Sequence, residues 1–273
     1  MSTFTFIAVN YNNSHFTIDY INSVNNIIID KEDEVRIIIV DNASKRQDLM
    51  EVKKYSENIG NVSIIESEVN LGYFKGLNLG IAEALKKNRK NIIIGNNDLA
   101  FDENFIKKYK KINYDKKVMV IAPNIITRDG RQQNPHVVDR VSEFEKFKTK
   151  IYFINYYFAQ LVRIFNKQVR KLIKQNRENK TNNYGQMIIK RGIGACYILT
   201  ENFFEKFNKL DDRVFMWGEE ALLSNQVESN GGCTLYDPTI IVHHHESASV
   251  NSIQSKQRYY MVKNSYKIYK DYI

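Results

Sequence analysis

Short apolar runs alternate with segments of helical periodicity through the first half of the chain. Continuous apolar runs of this length, rich in Ile and Val, predict strands that are buried on both faces. The runs cover residues 5–9, 35–40, 62–65, 92–94 and 118–122. Between them, apolar side chains recur at the spacing of an amphipathic helix over residues 15–26, 48–58, 76–86 and 105–112. This alternation predicts an α/β fold with a mostly parallel sheet that carries helices on both faces.

The second half of the chain is less regular. Residues 192–200 indicate a turn of small residues followed by a strand, and residues 203–210 indicate one or two helical turns. A further strand over residues 239–242 runs into three consecutive histidines. The last predicted helix covers residues 255–272.

A separate apolar stripe crosses the middle of the chain. Its members recur every three or four residues, which predicts one amphipathic helical face. They are Phe144, Phe147, Ile151, Ile154, Phe158, Leu161, Phe165, Val169 and Leu172. Tyr152, Phe153, Tyr156 and Tyr157 widen this face with aromatic rings.

The same segment holds almost all of the excess charge. The chain carries a net charge of +9, and residues 140–180 contribute eleven Lys or Arg against three Glu. A basic, aromatic, amphipathic helix is typical of segments that lie on an anionic membrane surface, with Lys167, Arg170, Lys171 and Lys174 as candidate lipid contacts. The alternatives are a helical pair packed on the core with solvated lysines outside, and the contact of a homodimer. No nucleic-acid motif accompanies the charge, which argues against nucleic acid as a partner.

Length and composition place the chain among globular proteins. Its 273 residues are 43% hydrophobic and 26% charged, enough to bury a sizeable core. Two cysteines, Cys196 and Cys233, cannot build a disulfide framework and are interpreted as reduced core thiols. The first residues lack the basic start of a signal peptide, and no stretch reaches the ~18 uncharged residues of a membrane-spanning helix. These features predict a cytoplasmic protein.

Polar residues follow three of the predicted strands where each strand ends. Asn10, Asp41 and Asp98 each come directly after an apolar run. Ligands of open α/β sheets bind outside the carboxyl ends of the strands, so these residues predict one shared site. The chain has no Gly-x-Gly-x-x-Gly loop after its first strand and no Gly-Lys-Ser/Thr loop, which argues against dinucleotide binding and against a P-loop.

Eight short motifs follow one another along the chain. They are VNYN at 9–12, VDNAS at 40–44, NLGYFKGLNLG at 70–80, NND at 96–98, GACYIL at 194–199, LDDRVFMWGEE at 210–220, HHESAS at 244–249 and KN at 263–264. In this order they resemble the family-2 inverting glycosyltransferases with the GT-A fold, and within them the rhamnosyltransferase-like branch of bacterial polysaccharide enzymes. The resemblance spans nearly the whole chain except residues 139–182.

The resemblance implies transfer of a sugar from a nucleoside diphosphate sugar, dTDP-rhamnose or a UDP-hexose, to a glycan. The implied acceptor is lipid-linked, in bacterial surface polysaccharide synthesis, so the protein would be peripheral at the inner face of the cell membrane. The chain then divides into a nucleotide-sugar-binding half (1–138), a basic helical insert (139–182), an acceptor and catalytic half (183–250) and a C-terminal helix (251–273).

The resemblance also implies a divalent metal, Mn²⁺ or Mg²⁺, because such ions stabilise the charge that grows on a leaving diphosphate. Asp98 is the expected carboxylate ligand. Asn96 stands at the first position of the metal motif, where it offers only a neutral amide, which weakens the expected affinity. His244 is the expected second ligand, and a one-residue error among the three histidines is allowed for. A zinc site made of all three is not expected, since consecutive residues of an extended segment point to alternate faces.

For the chemistry, the resemblance assigns the general base to the second acid of the pair Glu219–Glu220. Glu220 would accept the proton of the acceptor hydroxyl, and Glu219 would orient the loop or touch the acceptor. Trp217 offers an aromatic face for the acceptor sugar. The alternative for the two acids is a solvated turn, against which the preceding apolar residues argue.

The remaining motif positions are expected to bind the nucleotide. Asp41 would accept hydrogen bonds from the base or the ribose, and a glycine-containing loop would let the backbone approach the ligand. The full expected set is Val9, Asn12, Asp41, Asn70, Gly72, Lys75, Asn78 and Asn97. For Lys75, a solvated surface lysine is an equally good interpretation.

Two other functions compete with this one. A sugar nucleotidyltransferase would share the sheet, but it needs an N-terminal glycine-rich loop with a basic residue, which VNYNNSH lacks. A non-catalytic membrane-binding or glycan-binding protein with a decayed site is favoured by Asn96 and opposed by Asp98, Glu220 and His244.

Overall fold

The computed structural model describes residues 2–88, 91–139, 141–173, 184–246 and 255–273. For residues 165–173 and for Ser255 it describes the backbone only. The side chains of the predicted lipid contacts Lys167, Arg170, Lys171 and Lys174, and the last part of the HHESAS motif, therefore lie outside what is described below.

The described residues form nine strands and nine helices. The strands are β1 (Thr3–Asn10), β2 (Glu34–Asn42), β3 (Val62–Ser67), β4 (Asn91–Asn96), β5 (Leu99–Phe101), β6 (Val118–Thr127), β7 (Met187–Ile189), β8 (Cys196–Leu199) and β9 (Cys233–His244). The helices are α1 (Ser14–Asn25), α2 (Arg46–Ser56), α3 (Tyr73–Lys86), α4 (Phe105–Lys110), α5 (Glu143–Tyr152), α6 (Tyr156–Ile173), α7 (Glu201–Phe204), α8 (Glu219–Glu228) and α9 (Ser255–Tyr269).

The strands join in one sheet, in the order β3-β2-β1-β4-β8-β6-β9-β5, with β7 pairing with β9 beside this path. The first four strands run parallel, and β8 is antiparallel to both of its neighbours. The predicted α/β class is confirmed. Because β8 lies between β4 and β6, the two predicted halves of the chain share this sheet.

Apolar strands form the sheet because both of its faces are covered by helices. One buried cluster gathers Tyr20 and Ile21 of α1 and Phe105 of α4, while the other face holds Phe74 and Leu77 of α3. Burial of each such large side chain contributes roughly 1.5–3 kcal/mol. The parallel register places Asn10 opposite Asp41, so polar strand ends meet at one edge, as predicted.

Three strands differ from the sequence-based expectation. β5 and β7 are only three residues long and were not predicted, since so short a run shows no period. β9 is twelve residues long, although only residues 239–242 were predicted. Pro238 lies inside it, where the register to β6 shifts between Pro123 and Asn124. Such a shift interrupts the alternation by which a strand is recognised.

The predicted helical stripe divides between two helices. α5 ends at Tyr152 and α6 begins at Tyr156, so Ile154 lies in the turn between them. The pair is held by α9 through a cluster that includes Phe153, Ala159 and Tyr259. Over its described positions the stripe is exposed or half-buried, whereas Phe153 and Ala159 on the other side of the pair pack against α9. No helix within the described part of the chain combines the length and apolarity that crossing a membrane requires.

Candidate active site

Asn96, Asp98 and His244 meet at the carboxyl end of β4. The chain turns directly after β4 into β5, which pairs antiparallel with β9 and brings Leu99 opposite His244. The backbone N–H of His245 donates to the carbonyl oxygen of Asp98 at 3.0 Å, which fixes this register. His244 Nε2 then lies 3.3 Å from Asp98 Oδ1 and 3.3 Å from Asn96 Nδ2.

His244 faces this cluster and its two neighbours do not. His243 is exposed, and the Nδ1 of His245 accepts a hydrogen bond from Arg128 Nε at 2.9 Å. Successive side chains of a strand point to opposite faces, so only the middle histidine reaches Asp98.

A chain of hydrogen bonds orients the imidazole of His244. The amide nitrogen of Gln133 donates to Glu246 Oε1 at 3.1 Å, which turns Gln133 Oε1 towards His244 Nδ1, 2.8 Å away. The Nδ1 atom therefore carries the proton, because Gln133 Oε1 can only accept. In the neutral tautomer with this proton on Nδ1, Nε2 presents its lone pair to Asp98 and Asn96, the orientation that metal-binding histidines adopt. Sequence reasoning missed Gln133, which belongs to no motif.

The donor set of this cluster fits a hard or borderline divalent cation. A carboxylate oxygen and an imidazole nitrogen lie 3.3 Å apart, a spacing at which both atoms can bind the same cation. Asn96 adds an amide. Across the described ranges, no three His, Cys, Asp or Glu side chains gather closely enough to hold a metal by themselves. The protein can thus supply part of a coordination shell and leave positions for oxygens of a ligand.

The turn before α8 carries the acidic pair. Gly218 adopts a left-handed conformation with φ +102°, and α8 begins at the next residue. Glu219 is buried, and this burial, together with the charge of Glu220, raises the pKa of Glu219 to about 8. Glu220 is half-buried, and its Oε1 accepts from the backbone N–H of Gly194 at 3.2 Å. Glu219 therefore favours its protonated form at neutral pH.

A cation and a phenol lie close to Glu220. Burial lowers the pKa of the Arg191 guanidinium, and the negative charge of Glu220 opposes this effect. Burial, and then the charge of Glu220, raises the pKa of Tyr269 to about 12. Arg191 Nε is buried and has no hydrogen-bond acceptor among the described groups. Arg191 was not predicted, because it enters the site through a backbone bridge with Val137 that no local pattern indicates.

The turn at residues 194–195 connects the cluster of Asn96, Asp98 and His244 to the acidic pair. The backbone N–H of Asn96 donates to the Ala195 carbonyl at 2.9 Å, and Gly194 holds Glu220. Tyr73 donates its hydroxyl to the Gly194 carbonyl at 3.0 Å. Burial raises the pKa of Tyr73, and the neighbouring acidic groups of Cys196, Glu219 and Asp98 add to the rise. Residues far apart in sequence therefore border one region.

Among the predicted nucleotide residues, Asp41 and Asn12 shape the turns after β1 and β2. Asp41 Oδ2 accepts from Asn10 Nδ2 at 2.9 Å, and its Oδ1 accepts from the backbone N–H of Ser44 at 3.0 Å. Asn12 has φ +53°, and its Oδ1 accepts from the Lys45 N–H at 2.7 Å. Their contact with a nucleotide stays a prediction.

The loop before α3 is tied to the loop that precedes the acidic pair. Asn70 Oδ1 accepts from the Gly72 N–H at 2.9 Å, and the Tyr73 N–H donates to the Phe215 carbonyl at 3.0 Å. Gly72 has φ +85°, and a Cβ there would lie 2.2 Å from Phe215 O, so only glycine allows this approach. Val9 packs against α3 at Gly76.

Two other predicted nucleotide residues use their amides inside the protein. Asn97 Nδ2 donates to Thr17 Oγ1 at 2.8 Å. Asn78 Nδ2 donates to the Leu210 carbonyl at 3.0 Å and to Asp212 Oδ2 at 3.1 Å. These bonds hold α1 and α3 in place, and the predicted nucleotide role of both residues stays a prediction. Lys75, by contrast, is exposed.

Trp217, the predicted acceptor contact, lies in the loop before α8 with φ +66°. The guanidinium of Arg258, on α9, lies 5.4 Å from the centre of its ring system. Ser265 Oγ donates to the Met216 carbonyl at 2.7 Å. Helix α9 therefore holds this loop from outside.

Solved structures of other proteins resemble the fold of this chain. A solved structure of GalNAc-T7 with UDP, GalNAc and Mn²⁺ matches with a TM-score of 0.57 at 16% identity, over 90% of this chain and 44% of that one. TarS 1–349 of S. aureus matches with a TM-score of 0.56 at 13% identity, over 90% and 60%. The mannosyltransferase PcManGT of Pyrobaculum calidifontis, in complex with GDP-Man and Mn²⁺, matches with 0.54 at 11%, over 90% and 57%. These likenesses confirm the predicted GT-A fold.

Sequence comparison identifies the family. The low-salt glycan biosynthesis hexosyltransferase Agl10 of Haloferax volcanii is 22% identical over 184 residues, which cover 67% of this chain and 50% of the relative. The matched region thus spans about half the length of that relative. Residues 5–190 match the family described as Glycosyl transferase family 2. That match covers well over half of the chain, and the chain belongs to glycosyl transferase family 2.

Proposed function

We propose that the protein transfers a hexose from a nucleoside diphosphate sugar to a glycan acceptor, with a divalent metal and with inversion. The observation that carries this proposal is the joining of Asn96, Asp98 and His244 to Glu220 through the turn at residues 194–195. Two proteins of the same fold support it, since their structures hold UDP with Mn²⁺ and GDP-Man with Mn²⁺. The hexosyltransferase relative supports the class of donor.

Asp98 and His244 would hold the metal, with Asn96 beside them. Mn²⁺ or Mg²⁺, when bound, supplies positive charge that stabilises the leaving diphosphate. Gln133 keeps the Nε2 lone pair of His244 directed into the cluster. The remaining coordination positions are left for diphosphate oxygens and water.

Glu220 would act as the general base. Its carboxylate accepts the proton of the acceptor hydroxyl while that oxygen attacks the anomeric carbon from the face opposite the diphosphate, which inverts the configuration. The Gly194 N–H orients this carboxylate, and Arg191 stabilises its charge. Glu219 is poorly suited to the role, because burial keeps it protonated at neutral pH.

For the donor we propose dTDP-rhamnose or a UDP-hexose, bound along the edge that Val9, Asn12 and Asp41 form, with the loop from Asn70 to Lys75 beside it. The rhamnosyltransferase-like branch of the resemblance supports rhamnose. For the acceptor we propose a lipid-linked glycan of bacterial surface polysaccharide synthesis, with Trp217 beneath the sugar.

A donor panel tests the proposal. The protein is incubated with nucleotide sugars and Mn²⁺, with and without a chelator, and release of the nucleoside diphosphate is measured. We expect one donor to be hydrolysed or transferred, and the chelator to abolish turnover. If no donor binds or turns over, the protein is a non-catalytic member of the family.

The base is tested with Glu220→Gln, and Glu205→Gln serves as the control because Glu205 is exposed at the end of α7. Glu220→Gln should bind donor with unchanged affinity and lose transfer by a factor of at least about 100, the size of general base effects. Transfer at the wild-type rate in Glu220→Gln would remove Glu220 from this role.

A further inference from the structure

The α5–α6 pair exposes an unusual concentration of apolar side chains. Of the large apolar side chains that are exposed in the described part of the chain, seven lie between residues 144 and 164: Phe144, Phe147, Ile154, Tyr157, Phe158, Leu161 and Ile164. Tyr157 is 70% exposed and Leu161 is 66% exposed. Single exposed apolar residues are ordinary, but a contiguous patch of them marks an interaction surface.

A basic groove lies beside this patch, between α5 and α9. Its volume is about 580 Å³. Five lysines line it, against two acidic residues: Lys146, Lys150, Lys263, Lys267 and Lys270, with Glu143 and Asp271. Within the described ranges, no carboxylate lies at ion-pair distance from Lys150, Lys267 or Lys270, whereas Lys146 pairs with Glu143 at 2.8 Å. The apolar side chains of Phe147 and Ile154 continue the groove wall towards the patch.

Helix α9 connects this surface to the candidate active site. On one side, Ser265 and Tyr269 contact the loop that precedes Glu219 and Glu220. On the adjacent side, Tyr266 stacks on Phe153 at 4.7 Å between ring centres, and Lys263 Nζ donates to the Ile154 carbonyl at 3.1 Å. A partner that docks on the α5–α6 face is therefore separated from the proposed acceptor side of the site by α9 alone.

We infer that the α5–α6 face and the adjacent lysine groove dock on an anionic lipid surface. The lysines contact lipid phosphates, and the exposed side chains of α5 and α6 enter the boundary between headgroups and acyl chains. Basic amphipathic helices bind in the interfacial plane of membranes through these two kinds of contact. Docking would set the acceptor side of the site near the membrane, and this last step alone rests on the proposed use of a lipid-linked acceptor.

A second copy of the chain fits this face less well than a lipid surface does. Symmetric pairing would place the same patch of each copy against the other. The basic grooves of the two copies, with Lys150, Lys267 and Lys270, would then lie at one interface with few acidic residues to offset them. An anionic surface removes this repulsion, and it also covers the apolar patch.

Vesicle binding tests the inference on the full chain, without donor or metal. Sedimentation with vesicles of phosphatidylcholine plus about 30% phosphatidylglycerol should show a partition coefficient at least about ten times that with phosphatidylcholine alone. The groove variant Lys150→Glu/Lys267→Glu/Lys270→Glu should lose at least about ten-fold in binding to the anionic vesicles. The matched control Lys54→Glu/Lys87→Glu/Lys116→Glu changes the net charge equally at exposed lysines on other elements, and it should bind nearly as the wild type does.

The apolar patch is tested separately with Tyr157→Ser/Leu161→Ser, which leaves the net charge unchanged. Both side chains are exposed, so the fold should persist, as thermal unfolding will check. Binding to anionic vesicles should fall several-fold, and light scattering should show the same mass for variant and wild type.

Three results would overturn the inference. The first is that the wild type does not bind anionic vesicles, and the second is that the groove variant and its lysine control lose vesicle binding equally. The third is that the wild type is a dimer, which Tyr157→Ser/Leu161→Ser dissociates without changing vesicle binding. The last would assign the face to a second copy. Because the vesicle assay contains no donor, its failure would leave the transfer proposal intact, and failure of transfer would leave vesicle binding unchanged.

Discussion

Glu219 and Glu220 are adjacent carboxylic acids in different surroundings. Glu219 is buried at the start of α8, whereas Glu220 reaches the Gly194 N–H at the edge of the site. Burial favours the protonated form of Glu219. The sequence identified the pair as acidic, but the protonated form of Glu219 depends on burial, which the local sequence does not encode.

Glu219→Gln should change how stability depends on pH. The pKa of Glu219 is raised from 4.5 to about 8, so its contribution to the free energy of unfolding is complete at low pH and falls as pH rises between these values. For a single group the slope in this range is about 1.4 kcal/mol per pH unit. Gln has no proton to lose, so Glu219→Gln should gain stability relative to wild type as the pH rises from 5 to 9. Urea unfolding at both pH values measures this.

Glu205→Gln is the control for that experiment, since Glu205 is exposed. Its dependence on pH should follow that of the wild type. If the stability of Glu219→Gln also depends on pH as that of the wild type does, Glu219 is not buried in its neutral form.

Gln133→Ala should weaken metal binding without touching a metal ligand. Loss of the acceptor at Nδ1 frees the ring of His244 to rotate and to change tautomer. Partners of this kind typically contribute about 10-fold to 100-fold in metal affinity. Calorimetry or Mn²⁺ electron paramagnetic resonance with a nucleoside diphosphate present measures the change, and Gln132→Ala, at an exposed neighbour, is the control. Equal affinity in the two variants would exclude a positioning role for Gln133.

At the scale of elements, burial decides which parts could be predicted. β1, β2, β4 and β6 are covered on both faces and read as continuous apolar runs. β5 is three residues long, yet it brings Asp98 to His244, and its partner β9 contains a proline and a register shift. The pairing of β5 with β9, on which the site depends, could therefore not be predicted from the periodicity of the sequence.

Gly218→Ala should be costly because of α9. A Cβ at Gly218 would lie 2.1 Å from Tyr269 Cδ1, whereas a Cβ at Gly231 meets nothing within 4 Å, although both residues have positive φ. The strain of a left-handed alanine is common to both, so the difference measures the clash. We expect Gly218→Ala to lose about 1–3 kcal/mol more than Gly231→Ala in urea unfolding. Equal losses would mean that α9 does not press on the turn.

At the scale of the whole molecule, the candidate site is built from residues that are far apart in sequence. Asn96 and His244 are 148 residues apart in sequence, and the turn at 194–195 joins their cluster to Glu220 through the backbone of Asn96. Motifs could name these residues because each motif is local. Gln133 and Arg191 act through tertiary contacts that no motif contains, which is why the sequence did not reveal them.

Binding of metal and nucleotide should stabilise the whole fold jointly. A ligand that binds only the folded state raises its stability by about 2.7 kcal/mol at a hundred times its Kd. Mn²⁺ and UDP, or dTDP, should therefore raise the melting temperature more together than the sum of each alone. Asp98→Ala should lose this joint shift, and Asp139→Ala, at an exposed position, should keep it. A shift that survives in Asp98→Ala would place the metal elsewhere.

Trp217 is the only tryptophan of the chain, and it lies beneath Arg258 in the loop that α9 holds against the acidic pair. Its indole is thus an intrinsic optical reporter placed at the proposed catalytic loop. Emission from this single tryptophan, excited at the red edge where tyrosine does not absorb, will shift when the loop moves or when the guanidinium above it is displaced. Titrations of donor, acceptor or vesicles can then be followed on the unlabelled protein, each observed from the same ring.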